Sequence, residues 1–167
     1  MGVMRRSWPV AATWFLGAVA LVGCGGDGDG GPGGGGGTSI ADQPLTGKIG
    51  GQAFTVSAGE TDAFLSQGDQ YFVNLYGAIF TACTVGGPPL GANSVIFEIP
   101  KMPGTYNLGL GQLATLYDGA TAYNRIASRG TIVIDSIAGT TITGGAAITF
   151  DANNTVNGKF TATICPE

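Results

Sequence analysis

The sequence predicts an all-β domain, an antiparallel β-sandwich or flattened barrel of roughly nine to eleven short strands, behind a signal peptide and a disordered glycine-rich tether. Three observations carry that reading. Residues 38–167 hold no convincing apolar stripe at helical period, but many short runs rich in β-branched and aromatic residues. Gly-Gly, Asp-Gly, Asn-Asn and Pro-Pro pairs punctuate those runs, and such pairs are the chemistry of tight turns. Between residues 25 and 37, ten positions are glycine, a composition that cannot bury a core or offset its own ordering entropy.

Residues 1–23 have the three parts of an export signal. Arg5 and Arg6 give a positive start, Val10 to Val22 is apolar apart from Thr13 and Gly17, and Leu21-Val22-Gly23 supplies small or medium side chains before a cut. The apolar run is 13 residues, short of the ~20 that a transmembrane helix needs, so a removable leader is the better reading. Residues Leu21-Val22-Gly23-Cys24 resemble the lipobox of bacterial lipoproteins. The resemblance implies that the Cys24 thiol receives a diacylglyceryl group, that the chain is cut before Cys24, and that the new amine takes a fatty acyl chain such as palmitate. Several acyl chains hold a protein on a membrane where one does so only marginally. In that family an Asp after the cysteine often means retention in the inner membrane. Gly25 stands there instead, which implies a lipid anchor in the outer membrane, facing the periplasm or the surface. The rival motif for N-myristoylation fails, because Arg6 occupies the position that needs Ser or Thr.

Residues 24–37, the lipidated cysteine and its linker, read as a flexible coil with an r.m.s. reach of about 20 Å. Two motifs there are formal only. Gly28-Asp29-Gly30-Gly31-Pro32-Gly33 fits a dinucleotide fingerprint but follows no strand and opens no helix. Asp27-Gly28-Asp29 begins like a calcium loop but lacks the later glycine and glutamate.

Residues 38–167 form one domain. They carry five basic residues against nine acids, with no basic stripe, so nucleic acid is not an expected partner. The chain has no histidine, which removes Ser-His-Asp triads, Cys-His pairs and nearly all zinc sites. Cys83 and Cys165 are an even pair in an oxidising compartment and are expected to form a disulfide, two buried free thiols being the alternative.

In order, Leu45–Ile49 and Gln52–Ser57 flank Gly50-Gly51, a two-residue hairpin turn, with Phe54 and Val56 inward. Ala63–Gln67 is a weak strand. Gln70–Val85 is long and apolar, two strands or one with a bulge at Gly77, or a buried helix. Ser94–Ile99 turns Val95, Phe97 and Ile99 inward. Thr105–Leu110 does the same with Tyr106, Leu108 and Leu110. Leu113–Tyr117 and Thr121–Ile126 flank Asp118-Gly119 as a second hairpin. Thr131–Ile137 suits a strand covered on both faces. Ala146, Ile148 and Phe150 share one face of the next strand, and Val156, Phe160, Ala162 and Ile164 share one face of the last, with Asn153-Asn154 as the turn. That phase puts Gly158 inside the strand, as a bulge or a close contact. The runs Gly47 to Phe54, Pro103 to Tyr106 and Val156 to Phe160 are similar to parts of β-rich lipoprotein domains of uncharacterised function. They are turn-and-strand patterns, and the resemblance brings no catalytic residue.

Carboxylates are the one catalytic route left open, as Glu60 with Asp62 or either with Glu98. Glu60 and Asp62 lie in a turn or strand edge, where solvated acids are common, and Lys48, Lys101 and Lys159 lie beside turns or on polar faces. An enzyme is not expected, and neither is a cofactor. A calcium site would have to collect Asp118, Asp135 or Asp151 with Asn153, and its spacing singles out nothing, so no metal is assigned. Tyr71, Tyr76, Tyr117 and Tyr123 are the candidate ligand-binding aromatics. The sequence thus points to a membrane-anchored envelope protein with a structural or protein-interaction domain, the alternative being a glycan- or small-ligand-binding module. The first predicts an exposed edge or apolar patch, the second a groove lined by two or more tyrosines.

Overall fold

Gly50 and Gly51 sit at φ of 61° and 77°, the positive pair that a two-residue hairpin requires. They fold β1 (Thr46–Ile49) back onto β2 (Gln52–Thr55). The structure is a computed structural model that describes residues 39–109 and 111–166. The signal peptide (1–23), Cys24, the tether, and Leu110 lie outside the described residues. The strands that follow are β3 (Ala58–Thr61), β4 (Gln70–Tyr76), β5 (Ser94–Pro100), β6 (Gly104–Asn107), β7 (Ala114–Asp118), β8 (Tyr123–Ala127), β9 (Arg129–Ala138), β10 (Thr141–Asp151) and β11 (Asn154–Thr163). Among the described residues there is no helix.

All eleven strands belong to one sheet, ordered β6-β9-β10-β11-β3-β4-β5-β7-β8, with β1 and β2 branching from β11. The fold is all-β as expected, but the sheet is mixed rather than purely antiparallel, because β11 and β3 run parallel through Thr163 and Glu60. The cause is the length of β11. One of its edges is covered by β10 along nearly its whole length. The other edge is shared by three short pieces. They are β1 against Thr155–Asn157, the segment around Pro44 against Lys159, and β3 at the end. The sheet curls into a half-barrel. Phe97 on β5 meets Phe160 on β11 edge-on, with ring centroids 5.6 Å apart, although β3 and β4 lie between those strands in the sheet.

The core is the one that alternation selects. Val95, Phe97, Ile99, Leu116, Ala146, Ile148, Val156, Phe160 and Ala162 are all buried, and Tyr106 packs half-buried against them. Four expectations need correction. Ala63–Gln67 is a turn, not a strand, because Asp62 turns its carboxylate onto the Leu65 N–H at 2.8 Å and its carbonyl onto the Ser66 N–H at 2.9 Å. The run Gln70–Val85 makes only β4, which stops before Gly77. Residues 77–93 are a loop with Ile79, Val85 and Leu90 exposed. Phe150 points outward because the β10–β11 register shifts between Thr149 and Asp151. Finally, β9 is covered on one face only. Ile132 and Ile134 are buried and Val133 is half-buried.

Candidate functional site

Side chains alternate across a strand, so when Leu75, Val95 and Leu116 face the core, their neighbours face out. The register then aligns the outward residues into rows. Tyr76 lies opposite Ser94, Ser94 opposite Tyr117, and Tyr117 opposite Asn124. Two residues along, Asn74, Ile96, Thr115 and Ile126 make the next row. At ~4.8 Å per strand step, Tyr76 and Tyr117 stand about 10 Å apart in one row. Both rings are half-buried.

A groove of about 390 Å³ lies on this face, with Tyr76, Ser94, Ile96, Tyr117 and Asn124 as its floor and Pro88–Ala92 as its wall. A second hollow of about 350 Å³, lined by Phe72, Glu98, Gln112, Leu113 and Thr115 among others, also touches Ile96. The two hollows share Ile96, on the outer face of β5. A further hollow, of about 350 Å³ near Pro44 and Val56, marks where β11 changes neighbours. Its one charged side chain, Lys159, is paired with Asp135 at 3.1 Å.

The wall is a stapled strap. Cys83 and Cys165 form a disulfide across 82 residues. The Cys83 N–H donates to Glu60 Oε2 at 2.6 Å, and the Cys165 N–H donates to Thr61 Oγ1 at 2.9 Å. The Phe80 ring meets Tyr76 edge-on at 5.1 Å. The far end is tied by Gly77 N–H to the Asn93 carbonyl at 3.0 Å and by Gly119 N–H to Asn93 Oδ1 at 2.9 Å. Burial, with the carboxylates of Glu60 and Asp62 adding to it, pushes the Tyr76 phenol up to about 12, so at neutral pH it keeps its proton and can donate.

Of the four tyrosines singled out by sequence, the fold brings Tyr76 and Tyr117 together and sends the other two elsewhere. Tyr71 packs half-buried against the core, with Lys101 over its ring at 5.0 Å. Tyr123 alternates to the opposite face of β8, where Arg125 covers its ring at 5.0 Å. Ser94, Asn124 and the strap escaped the sequence reading. The one available signal was Ile96, which interrupts the otherwise polar face of β5.

The acids do not assemble into catalytic pairs. Glu60 is engaged by the strap, Asp62 caps its own turn, and Glu98 is exposed in the Phe72 row. The suggested calcium ligands also go separate ways. Asp135 pairs with Lys159, and Asp151 accepts from Asn153 N–H at 2.8 Å and Asn154 Nδ2 at 2.7 Å. Among the described residues the one trio with metal-type ligand atoms in reach of one another is Glu60, Cys83 and Cys165, and its two sulfurs are joined to each other.

Asp118 is buried at the β7–β8 turn, where the β1–β2 turn meets it. Thr121 Oγ1 donates to it at 2.8 Å, Ala120 N–H at 3.1 Å, and Arg125 Nη1 lies 3.4 Å away. The Thr121 hydroxyl, the backbone N–H groups and Arg125 together hold its carboxyl below the ordinary aspartate value despite the opposing effect of burial. A carboxyl whose folded pKa is depressed adds stability above its unfolded pKa and loses it as pH falls through the folded value. Urea midpoints measured from neutral pH down into the acid range should therefore fall less steeply for Asp118→Asn than for the wild type. Parallel curves would remove Asp118 from the acid response.

No family model, curated protein or solved structure matches this chain.

Proposed function

We propose that this protein is an exported, lipid-anchored binding module of the cell envelope, held through Cys24 and working without catalysis. The observation that carries the binding half is the groove on the outer face of β4, β5 and β7, with two half-buried tyrosines on its floor and a disulfide-held wall. Sites of a few hundred Å³ with a largely apolar lining and a few convergent polar groups are the usual form of ligand sites. The anchoring half rests on Leu21-Val22-Gly23-Cys24 and the leader before it. A structural or protein-interaction role is the second reading, favoured by Ile79, Val85 and Leu90, which stand exposed on the strap.

Metabolic labelling with palmitate, followed by detergent phase partition, tests the anchor. The wild type should carry label and enter the detergent phase, and Cys24→Ala should do neither. A Cys24→Ala chain that still matures and stays with the membrane would sink the anchoring argument.

A further inference from the structure

We infer that the Tyr76–Tyr117 groove takes an uncharged oligosaccharide, laid across the row Tyr76, Ser94, Tyr117 and Asn124. This rests on the binding-module reading above and names its ligand class.

The groove lining decides the class by exclusion and by fit. The strands of its floor, β4, β5 and β7, each have a neighbour on both sides. Their backbone donors and acceptors are spent on ladders, so an extended peptide cannot add as a strand there. No lysine, arginine, aspartate or glutamate lines the groove. A charged ligand would give up hydration with no ion to receive it. A purely apolar ligand would cover Ser94 and the Asn124 amide without satisfying them.

A neutral sugar ring matches what remains. It has an apolar C–H face and a rim of hydroxyls that both donate and accept. The C–H faces can lie on the tyrosine rings, which offer flat apolar area at little conformational cost. The hydroxyl rim can bond the Asn124 amide, the Ser94 hydroxyl and the tyrosine phenols. Pro88, Pro89 and Leu90 close the wall. The second hollow beyond Ile96 is lined by Gln70, Gln112 and Thr115 together with the carboxylate of Glu98, so a longer neutral chain finds further hydrogen-bond partners there while a polyanion meets a like charge.

The test uses the full chain in detergent. Once the leader is removed the protein has no tryptophan, since Trp8 and Trp14 are the two in the sequence, so its emission comes from five tyrosines, two of them in the groove, and the change that Tyr117→Ala abolishes is the groove's share. Cellohexaose, maltohexaose, laminarihexaose and chitohexaose are titrated in turn, with polygalacturonate as the charged comparison. At least one neutral oligosaccharide should bind and polygalacturonate should not. Tyr117→Ala should weaken binding about tenfold or more, the scale of a buried aromatic anchor. Asn124→Ala, an exposed position that leaves the core intact, should weaken it several-fold. Tyr123→Ala, on the opposite face, should leave it unchanged.

The inference is overturned if the folded, disulfide-intact protein binds none of the four, or binds them equally well in Tyr117→Ala and Asn124→Ala. Photocrosslinking from the Asn124 position then separates the two levels of the argument. A protein or peptide crosslinked there, and lost in Tyr117→Ala, would remove the sugar and keep the binding module. No ligand of any class dependent on Tyr117 would remove both.

Discussion

Replacing Cys83 with serine is expected to lower the unfolding free energy by about 3–4.5 kcal/mol, the upper figure being the chain-entropy value for a loop of this length. The bridge spans 82 residues, so the unfolded chain regains a large loop when it is cut. The native state also relaxes, and this trims the loss. Without the bond, the strap between β4 and β5 keeps few buried apolar contacts, since Ile79, Val85 and Leu90 are exposed. Cys83 also holds φ at 61°, a conformation that costs about 1–3 kcal/mol in a non-glycine residue and persists only where the surroundings enforce it. The disulfide and the Glu60 hydrogen bond are those surroundings. Two measurements check this. The urea midpoint should drop in Cys83→Ser, and amide exchange should accelerate first in residues 77–93 while the β10–β11 ladder stays protected. A midpoint within error of the wild type would show that the staple contributes nothing to stability.

The same strap explains why only part of the candidate site could be read from the sequence. Alternation and turn chemistry are local, and they placed the β1–β2 hairpin, the Asp118 turn, β5 and the last two strands where the structure has them. The stretch Gln70–Val85 has the composition of a strand pair, but composition does not say whether a neighbouring strand is free to receive it. Here β4 is already paired with β3 and β5, and a covalent bond to the far end of the chain holds the segment after it as a loop. The strand missed altogether is β3 (Ala58–Thr61), which lacks large apolar residues and contains Gly59. A Cβ at Gly59 would lie 2.6 Å from the Thr161 carbonyl oxygen, so the glycine is there because β11 passes close by. The groove is legible only once register is known. Tyr76 and Tyr117 are far apart in sequence and become neighbours because β5 sits between them, whereas Tyr123 is turned away by the phase of alternation and Tyr71 also lies at the other end of β4, opposite Ile99.

Gly158→Ala should be among the most damaging single substitutions, at about 2–4 kcal/mol, a large effect that combines backbone strain with a buried clash. Gly158 lies within β11 at φ 145° and is buried. A Cβ there would sit 2.6 Å from the carbonyl oxygens of both Gln43 and Pro44. Those carbonyls cannot simply step aside, because Lys159 N–H donates to the Gln43 carbonyl at 2.7 Å and Leu45 N–H donates to the Lys159 carbonyl at 2.7 Å. Asn157 clamps the same segment, accepting from Ala41 N–H at 2.8 Å and donating to the Ser39 carbonyl at 3.0 Å. Pushing the segment off β11 would also expose Leu45, which is fully buried. Gly139→Ala is the control. Gly139 has φ 56° but nothing within 4 Å of its Cβ position, so it should lose only the cost of a left-handed alanine, about 1–2 kcal/mol. Urea unfolding of both variants decides between the two sources of cost. If Gly158→Ala is no less stable than Gly139→Ala, the close passage of residues 43–45 over β11 is not what requires the glycine. If it is less stable, and amide protection is lost at residues 41–46 before the rest of the sheet, the glycine is what lets the segment before β1 share the edge of β11.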